Sequence, residues 1–282
     1  MKILSDNELI FFKQNGYLIV DDIFSKKDLD TIKNIFQDMI FFLIKKAIKS
    51  NPDKKILDSV IGNEFSQGLK LLEEIDRKYI LEFYDSLSIQ NNPYIARLSS
   101  NPKVLDIINN LLNKSYKNPL FITSGSCVFA MPNDKLHTPN KWHTDVFYSI
   151  KDSEYIQVWA PLIEDTSNEL GALHIMPKSH KIPFQGYIRD TSRDDSNIHR
   201  YVGSESLLKK YEDKIVKMKL GQVVFFDKHL FHRGGDNITD RVRLSLVGVY
   251  HSMENPSFSP YPLNHPKQIT SDEYYDEVFN KN

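Results

Sequence analysis

The hydrophobic pattern of this chain changes character near residue 118. Before it, apolar residues recur at helical spacing; after it, they come in short β-branched and aromatic runs cut by Pro, Gly and Asn. "SDNE" at 5–8 is a capping-box pattern leading into a short helix with Gly16 as its stop, and "YLIVDDIF" then reads as a strand. "SKKD" at 25–28 offers a second N-cap, after which Leu29, Ile32, Ile35, Phe36, Met39, Ile40 and Leu43 share one helical face. Residues 65–90 and 102–113 repeat that kind of pattern, the second with Pro102 near its first turn. The later runs, 119–131, 143–150, 155–163, 172–176, 214–219, 222–227 and 242–250, read as antiparallel strands. Only 203–213 is long and amphipathic enough for a helix between strands, so a barrel or jelly roll fits better than a βαβ sheet.

The expected fold class is therefore mainly β with flanking helices, as one domain over 1–282: helical support to 118, a β core over 119–251 and a tail over 252–282. The polar, Arg- and Asp-rich stretch 183–204 reads as a lid insertion over one mouth of the barrel, and a last helix is expected at 270–279. A net charge of −1 from interspersed charges lacks the basic excess that phosphate-backbone binding needs, so nucleic acid is not an expected partner. The longest apolar run of the first fifty residues, "MIFFLI" at 39–44, is too short for a membrane span, and no secretory signal is visible. Cys127 is the only cysteine, which excludes an internal disulfide and suits a reducing cytoplasm.

Within "KWHTDVFYSI" at 141–150, a strand would place His143 and Asp145 on one face, offering an imidazole nitrogen and a carboxylate oxygen side by side. Chance alone supplies roughly one His-x-acid triplet in a chain of this composition, so the pair needs company. An octahedral ferrous site of the two-histidine, one-carboxylate kind needs one more imidazole. The best source is residues 220–250, with a strand, a turn carrying His229 and His232, a Gly-Gly corner and a second strand carrying Arg241 and Arg243. Strand alternation puts both arginines on one face and does not separate them.

"HTD" at 143–145, "LGALHIMPKSHK" at 170–181 and "GQVVFFDKHLFHRGGDNITDRVR" at 221–243 resemble the signatures of the phytanoyl-CoA dioxygenase family of iron(II)- and 2-oxoglutarate-dependent oxygenases, which fold as a double-stranded β-helix, a cupin-like jelly roll. The opening "LIFFKQNGYLIVDDIFSKKDLDTI" also resembles that family's first helix and strand; 45–118 and the tail match least. The resemblance implies that His143, Asp145 and His232 are metal ligands and catalytic residues, and that Arg243 binds the far carboxylate of the co-substrate 2-oxoglutarate. It further implies Fe(II) as cofactor, consumption of O2, and hydroxylation of a C–H bond in a small or medium metabolite with release of succinate and CO2. Related halogenases have a small residue where Asp145 stands, so this carboxylate points to hydroxylation. Desaturation, epimerisation or cyclisation would use the same ligands, and a non-catalytic β-helix binding protein is the reading of another class.

Residue chemistry agrees with these roles. Imidazoles and a hard carboxylate suit Fe(II), whereas structural zinc more often draws on cysteine. A guanidinium offers a planar, bidentate grip on a carboxylate. Trp159 and Tyr148 are possible pocket residues, as is Arg193, which with Arg189 and Arg200 would read an anionic substrate. His229 reads as a turn residue, His180 as a structural turn histidine, and His174 and His251 as core or strand-face residues. Lys178 replaces a glycine usual in the family, and Gly234 stands where some relatives carry a serine that helps hold 2-oxoglutarate.

Overall fold

A computed structural model describes residues 3–50, 65–84, 92–113, 120–130, 141–184, 186–190, 200–255 and 258–279. Ten strands form its β part: β1 (Tyr17–Val20), β2 (Leu120–Ala130), β3 (Tyr155–Pro161), β4 (Leu173–Ile175), β5 (Tyr187–Asp190), β6 (Arg200–Gly203), β7 (Lys214–Val216), β8 (Val223–Asp227), β9 (His232–Gly234) and β10 (Arg243–Ser252). One sheet runs β1-β8-β3-β10-β2 and the other contains β7-β4-β9, all neighbours antiparallel. The β5–β6 hairpin joins the second sheet through His143, which bridges Val202 of β6 on one side and His232 of β9 on the other. Two facing antiparallel sheets wound in this order are the double-stranded β-helix, a cupin-like jelly roll.

Period-two alternation divides the first sheet into two faces. Ile156, Val158 and Ala160 of β3 and Leu244, Leu246 and Tyr250 of β10 pack outward against helices Lys26–Ser50, Phe65–Ile75, Pro93–Ser99 and Pro102–Leu111. Trp159 and Val247 point the other way, into a second apolar cluster with Leu173, Ile175 and Val224 between the sheets. Helix Lys26–Ser50 buries Leu29, Ile32, Phe36, Ile40 and Leu43 as its spacing predicts, while Ile35 and Met39 are half-buried at the edge of that face. Its first turn is capped by Ser25, whose hydroxyl accepts from the Asp28 amide at 3.1 Å. The capping box is present too: the Ser5 hydroxyl accepts from Glu8 N at 3.3 Å, and the Glu8 carboxylate accepts from Ser5 N at 2.7 Å. Gly16 ends that helix at φ 81°, where a side chain would collide with the His180 ring.

Several expected elements change form. The stretch 143–150 is not a strand: His143 makes single-residue bridges, and Asp145–Phe147 is one turn of 3-10 helix. The predicted turn around His232 is instead the short strand β9, and the predicted insertion 183–204 contains β5 and β6. Residues 65–84 form two helices, Phe65–Ile75 and Arg77–Tyr84, and helix Pro93–Ser99 was not expected; Asn92 caps it by accepting from Tyr94 N at 2.9 Å. The final helix runs Ser271–Phe279. No helix among the described residues is long and apolar enough to cross a membrane.

Candidate metal centre and anion pocket

The backbone brings the two histidines together before any side-chain contact does. His143 N donates to His232 O at 3.1 Å and His232 N donates to His143 O at 3.0 Å, so the two residues form one rung between their chain segments. Their imidazole centroids are 4.6 Å apart. The chain after Thr144 then turns into the 3-10 helix, and that turn swings the Asp145 carboxylate back over both rings. Asp145 Oδ1 lies 3.7 Å from His143 Nε2, and Oδ2 lies 3.9 Å from His232 Nε2. One ligand atom from each residue falls within 4.8 Å of the other two, and this is the one such trio among the described residues. The 3-10 turn, not strand alternation, is what brings Asp145 beside His143.

Each imidazole is oriented by its own chain. His143 Nδ1 donates to Lys141 O at 2.7 Å and His232 Nδ1 donates to Leu230 O at 3.0 Å. With Nδ1 carrying the proton, Nε2 presents its lone pair to the centre, the arrangement in which a histidine ligates a metal. Burial pushes His232 down to about 4, the neighbouring His143 adds to this and Asp145 opposes it, so the ring is neutral at ordinary pH. The His143 and Asp145 side chains keep 27% and 26% of their surface exposed, against 9% for His232, so the cluster is open on one side. Neutral imidazoles plus a carboxylate fit a divalent iron-type ion, and an open side leaves room for further ligands.

Arg243 opens β10 and is buried between the sheets. Its guanidinium lies 5.6 Å over the Trp159 ring and donates through Nη1 to the Gly171 carbonyl, while Nε has no partner. Among the described residues no carboxylate lies within ion-pair distance of it. Burial pulls its pKa down to about 10, still leaving it charged. A buried cation without a counter-ion is costly, and an anionic ligand would relieve that cost. Arg241 is different: it precedes the strand, is exposed, and pairs with Glu164. The expected shared face therefore fails, because alternation begins only where the strand does, at Arg243.

Trp159 lines the space beneath Arg243. The Tyr148 hydroxyl accepts from Tyr201 N at 3.0 Å, tying the 3-10 turn to β6. Arg193 lies outside the described residues; Arg189 stands over the Tyr201 and Tyr275 rings and near Asp272 and Asp276. His229 packs edge-on to Phe184, and burial pushes it to about 4. His180 Nε2 donates to Lys13 O at 3.1 Å, fastening the first helix to the jelly roll. His174 Nδ1 contacts Asp213 at 2.7 Å. His251 is fully buried between the Ser149 and Ser153 hydroxyls, each at 2.9 Å. Lys178 adopts φ 72°, ψ −7°, the left-handed conformation that the usual glycine would supply. Gly234 pairs with Leu173 on β4.

Sequence reasoning missed Gln157 and Ser245. Both are fully buried polar residues with an unpartnered side-chain atom, Nε2 and Oγ respectively. Gln157 is two residues from Trp159 and opposite Phe226, whose ring is 4.9 Å from the His232 ring; Ser245 is two residues from Arg243. The available signal was a polar residue at an inward position of an otherwise apolar strand, which requires the register to be known.

A jelly roll with a partly exposed two-histidine, one-carboxylate cluster and a buried arginine between its sheets fits a class of non-haem metal-dependent proteins. Within that class, the model of the phytanoyl-CoA dioxygenase (PhyH) family matches residues 12–245, and the chain belongs to this family. It is 22% identical over 252 residues to a probable phytanoyl-CoA dioxygenase of Caenorhabditis elegans, covering 88% of this chain and 75% of that protein. Among solved structures, EctD from S. alaskensis with bound Fe superposes with a TM-score of 0.56 at 17% identity, over 89% of this chain and 78% of that one. The non-heme alpha ketoglutarate dependent carbocyclase SnoK from nogalamycin biosynthesis superposes with a TM-score of 0.55 at 17% identity, over 88% and 84% of the two chains. At such identities the structural likeness establishes the fold.

Proposed function

We propose that this chain is an iron(II)- and 2-oxoglutarate-dependent oxygenase that hydroxylates an unactivated C–H bond of a small or medium metabolite. The observation that carries the reading is the convergence of His143, Asp145 and His232 on one point, together with a buried Arg243 that has no counter-ion among the described residues. His143 Nε2, His232 Nε2 and one Asp145 oxygen would hold the metal. Arg243 would take the far carboxylate of 2-oxoglutarate, with Gln157 and Ser245 lending their unpartnered buried atoms to the same ligand. When bound, the iron supplies the coupling of dioxygen reduction to oxidative decarboxylation of 2-oxoglutarate, giving succinate and CO2.

The chain's own residues contribute position and exclusion of water. Trp159, Phe226 and Val247 form an apolar floor that strengthens the charge interaction between Arg243 and a carboxylate. The backbone acceptors at Lys141 and Leu230 hold each ring by its Nδ1–H and so aim both Nε2 atoms at the proposed metal position. Asp145 fills the third ligand position, which leaves no protein vacancy for a halide and favours oxygen insertion.

A second outcome has its own support. The carbocyclase SnoK shares this fold, so desaturation, epimerisation or ring formation at the same site is the alternative. Anaerobic addition of Fe(II) and 2-oxoglutarate should give a weak visible absorption band that is lost in Asp145→Ala, and succinate release across a metabolite panel should identify the substrate. A wild-type chain that gives no band sinks the proposal.

A further inference from the structure

The 3-10 turn that carries Asp145 cannot hold its own shape. It is closed by one hydrogen bond, Tyr148 N to Asp145 O at 2.9 Å, and Thr144 at its start makes no side-chain cap. A turn this short takes its geometry from what packs on it. Thr144, fully buried between two proposed ligands, shares a hydrogen bond with the Tyr187 hydroxyl at 2.6 Å. Phe147, two residues past Asp145, packs edge-on to Tyr187 at 5.2 Å, and Tyr187 also meets Phe231, the residue before His232, at 5.0 Å.

Helix Ser271–Phe279, which lies beyond the family-matched span, closes this cluster from outside. The Ser271 hydroxyl donates to the Phe147 carbonyl, and the Ser271 amide is itself held by Asn264 Oδ1 at 2.9 Å. Tyr274 and Tyr275 stand 5.9 and 5.8 Å from the Phe147 ring. Tyr274 also donates to Asp152 Oδ1 at 3.1 Å, just past the turn. The same helix grips β6: the Tyr275 ring stacks on Tyr201 at 4.7 Å, and the Tyr201 hydroxyl donates to Asp272. Tyr201 precedes Val202, the bridge partner of His143. One helix thus braces both the segment bearing Asp145 and the strand beside His143.

We infer that helix Ser271–Phe279 is a positioning element of the metal centre, with Ser271 as the positioning residue that sets the Asp145 turn and Asp272 acting on His143 through Tyr201. The inference rests on the ligand assignment of the proposed function. Its test is calorimetric titration of the metal-free, full-length chain with Co(II), alongside the visible Co(II) spectrum and the melting temperature of the metal-free protein. Ser271→Ala is expected to weaken Co(II) binding about tenfold or more, the scale on which outer-shell changes act on metal sites. It should also alter the Co(II) spectrum, by more than a modest fall in the metal-free melting temperature accounts for, that fall being expected because the buried Ser271 hydroxyl also accepts from Asn264 Nδ2 at 2.7 Å. Tyr201→Phe, which removes the hydroxyl but keeps the ring, should weaken binding in the same direction. A Ser271→Ala chain with wild-type affinity and spectrum, or one whose affinity falls only in step with its melting temperature, overturns the inference alone. A wild-type chain that binds no Co(II) overturns the ligand assignment as well.

Discussion

The Arg243 guanidinium lies 5.6 Å over the Trp159 ring, between two sheets, with no carboxylate of the described residues to neutralise it. Desolvated charges of this kind act strongly on whatever ligand reaches them. Arg243→Ala is expected to weaken 2-oxoglutarate binding by about a hundredfold or more, and Arg243→Lys should recover little of it, because one ammonium replaces a planar fork. Arg241→Ala should change binding by about twofold or less, since that exposed side chain serves a surface ion pair. Calorimetry with 2-oxoglutarate under anaerobic Fe(II) checks all three, and the opposite ranking of Arg241 and Arg243 would refute the assignment.

Gly171 supplies the carbonyl that accepts from Arg243, and it does so at φ 76°. A Cβ there would sit 2.6 Å from the Gly235 carbonyl oxygen. Gly171→Ala is therefore strained both in its own backbone and against its neighbour, and should cost roughly 1–3 kcal/mol of stability. It should also lower 2-oxoglutarate affinity by moving the acceptor that orients the guanidinium. Chemical denaturation measures the first effect and ligand titration the second; unchanged stability would argue against the close approach of Gly171 and Gly235.

Lys178 provides the reverse case. A residue with a Cβ occupies left-handed backbone at φ 72°, and glycine has no such penalty there. Lys178→Gly is expected to raise stability by up to about 1 kcal/mol, the relief of strain being partly offset by the greater freedom of glycine in the unfolded chain. A loss of stability on denaturant unfolding would show that the lysine side chain contributes more than its backbone costs.

Burial lowers His229 and His232 to about 4 and His251 to about 3. Protons then bind the unfolded chain more readily than the folded one between the ordinary histidine range and those values. Their contribution to stability is complete above about pH 6.5 and is lost progressively as pH falls toward 4. The metal-free protein should therefore lose stability over that window, on the order of 3 kcal/mol for each ring, and melt at steadily lower temperature. A flat profile between pH 7 and 4 would contradict the burial of these rings.

The helical face from Leu29 to Leu43 and both serine caps were legible in sequence because each rests on local chemistry with a fixed period. The same holds for the strand runs later labelled β2, β3, β8 and β10. What was not legible depends on register. Nothing local distinguishes a strand at 143–150 from a single bridging residue followed by a 3-10 turn, since Val146, Phe147 and Ile150 are buried either way. The three-residue strand β9 exists through its partners Leu173 and Ile175, not through its own pattern. Motif resemblance singled out the three residues that the fold brings together, His143, Asp145 and His232, but separating the buried Arg243 from the exposed Arg241 needed the point at which β10 begins. Gln157 and Ser245 were hidden for the same reason: their importance lies in facing inward, which only the paired sheet defines.

The two-sided bridge at His143 has a thermodynamic consequence. The amide and carbonyl of His143 are bonded to β9, and on the β6 side its neighbour Trp142 accepts from Gly203 N at 2.9 Å, so its backbone freedom is surrendered during folding and holding an ion there would demand little further ordering. His232, the other half of the same rung, shares that preorganisation. The cost of arranging the two imidazoles is met by the jelly roll itself, so a metal held there as proposed would enter and leave while the fold stays intact.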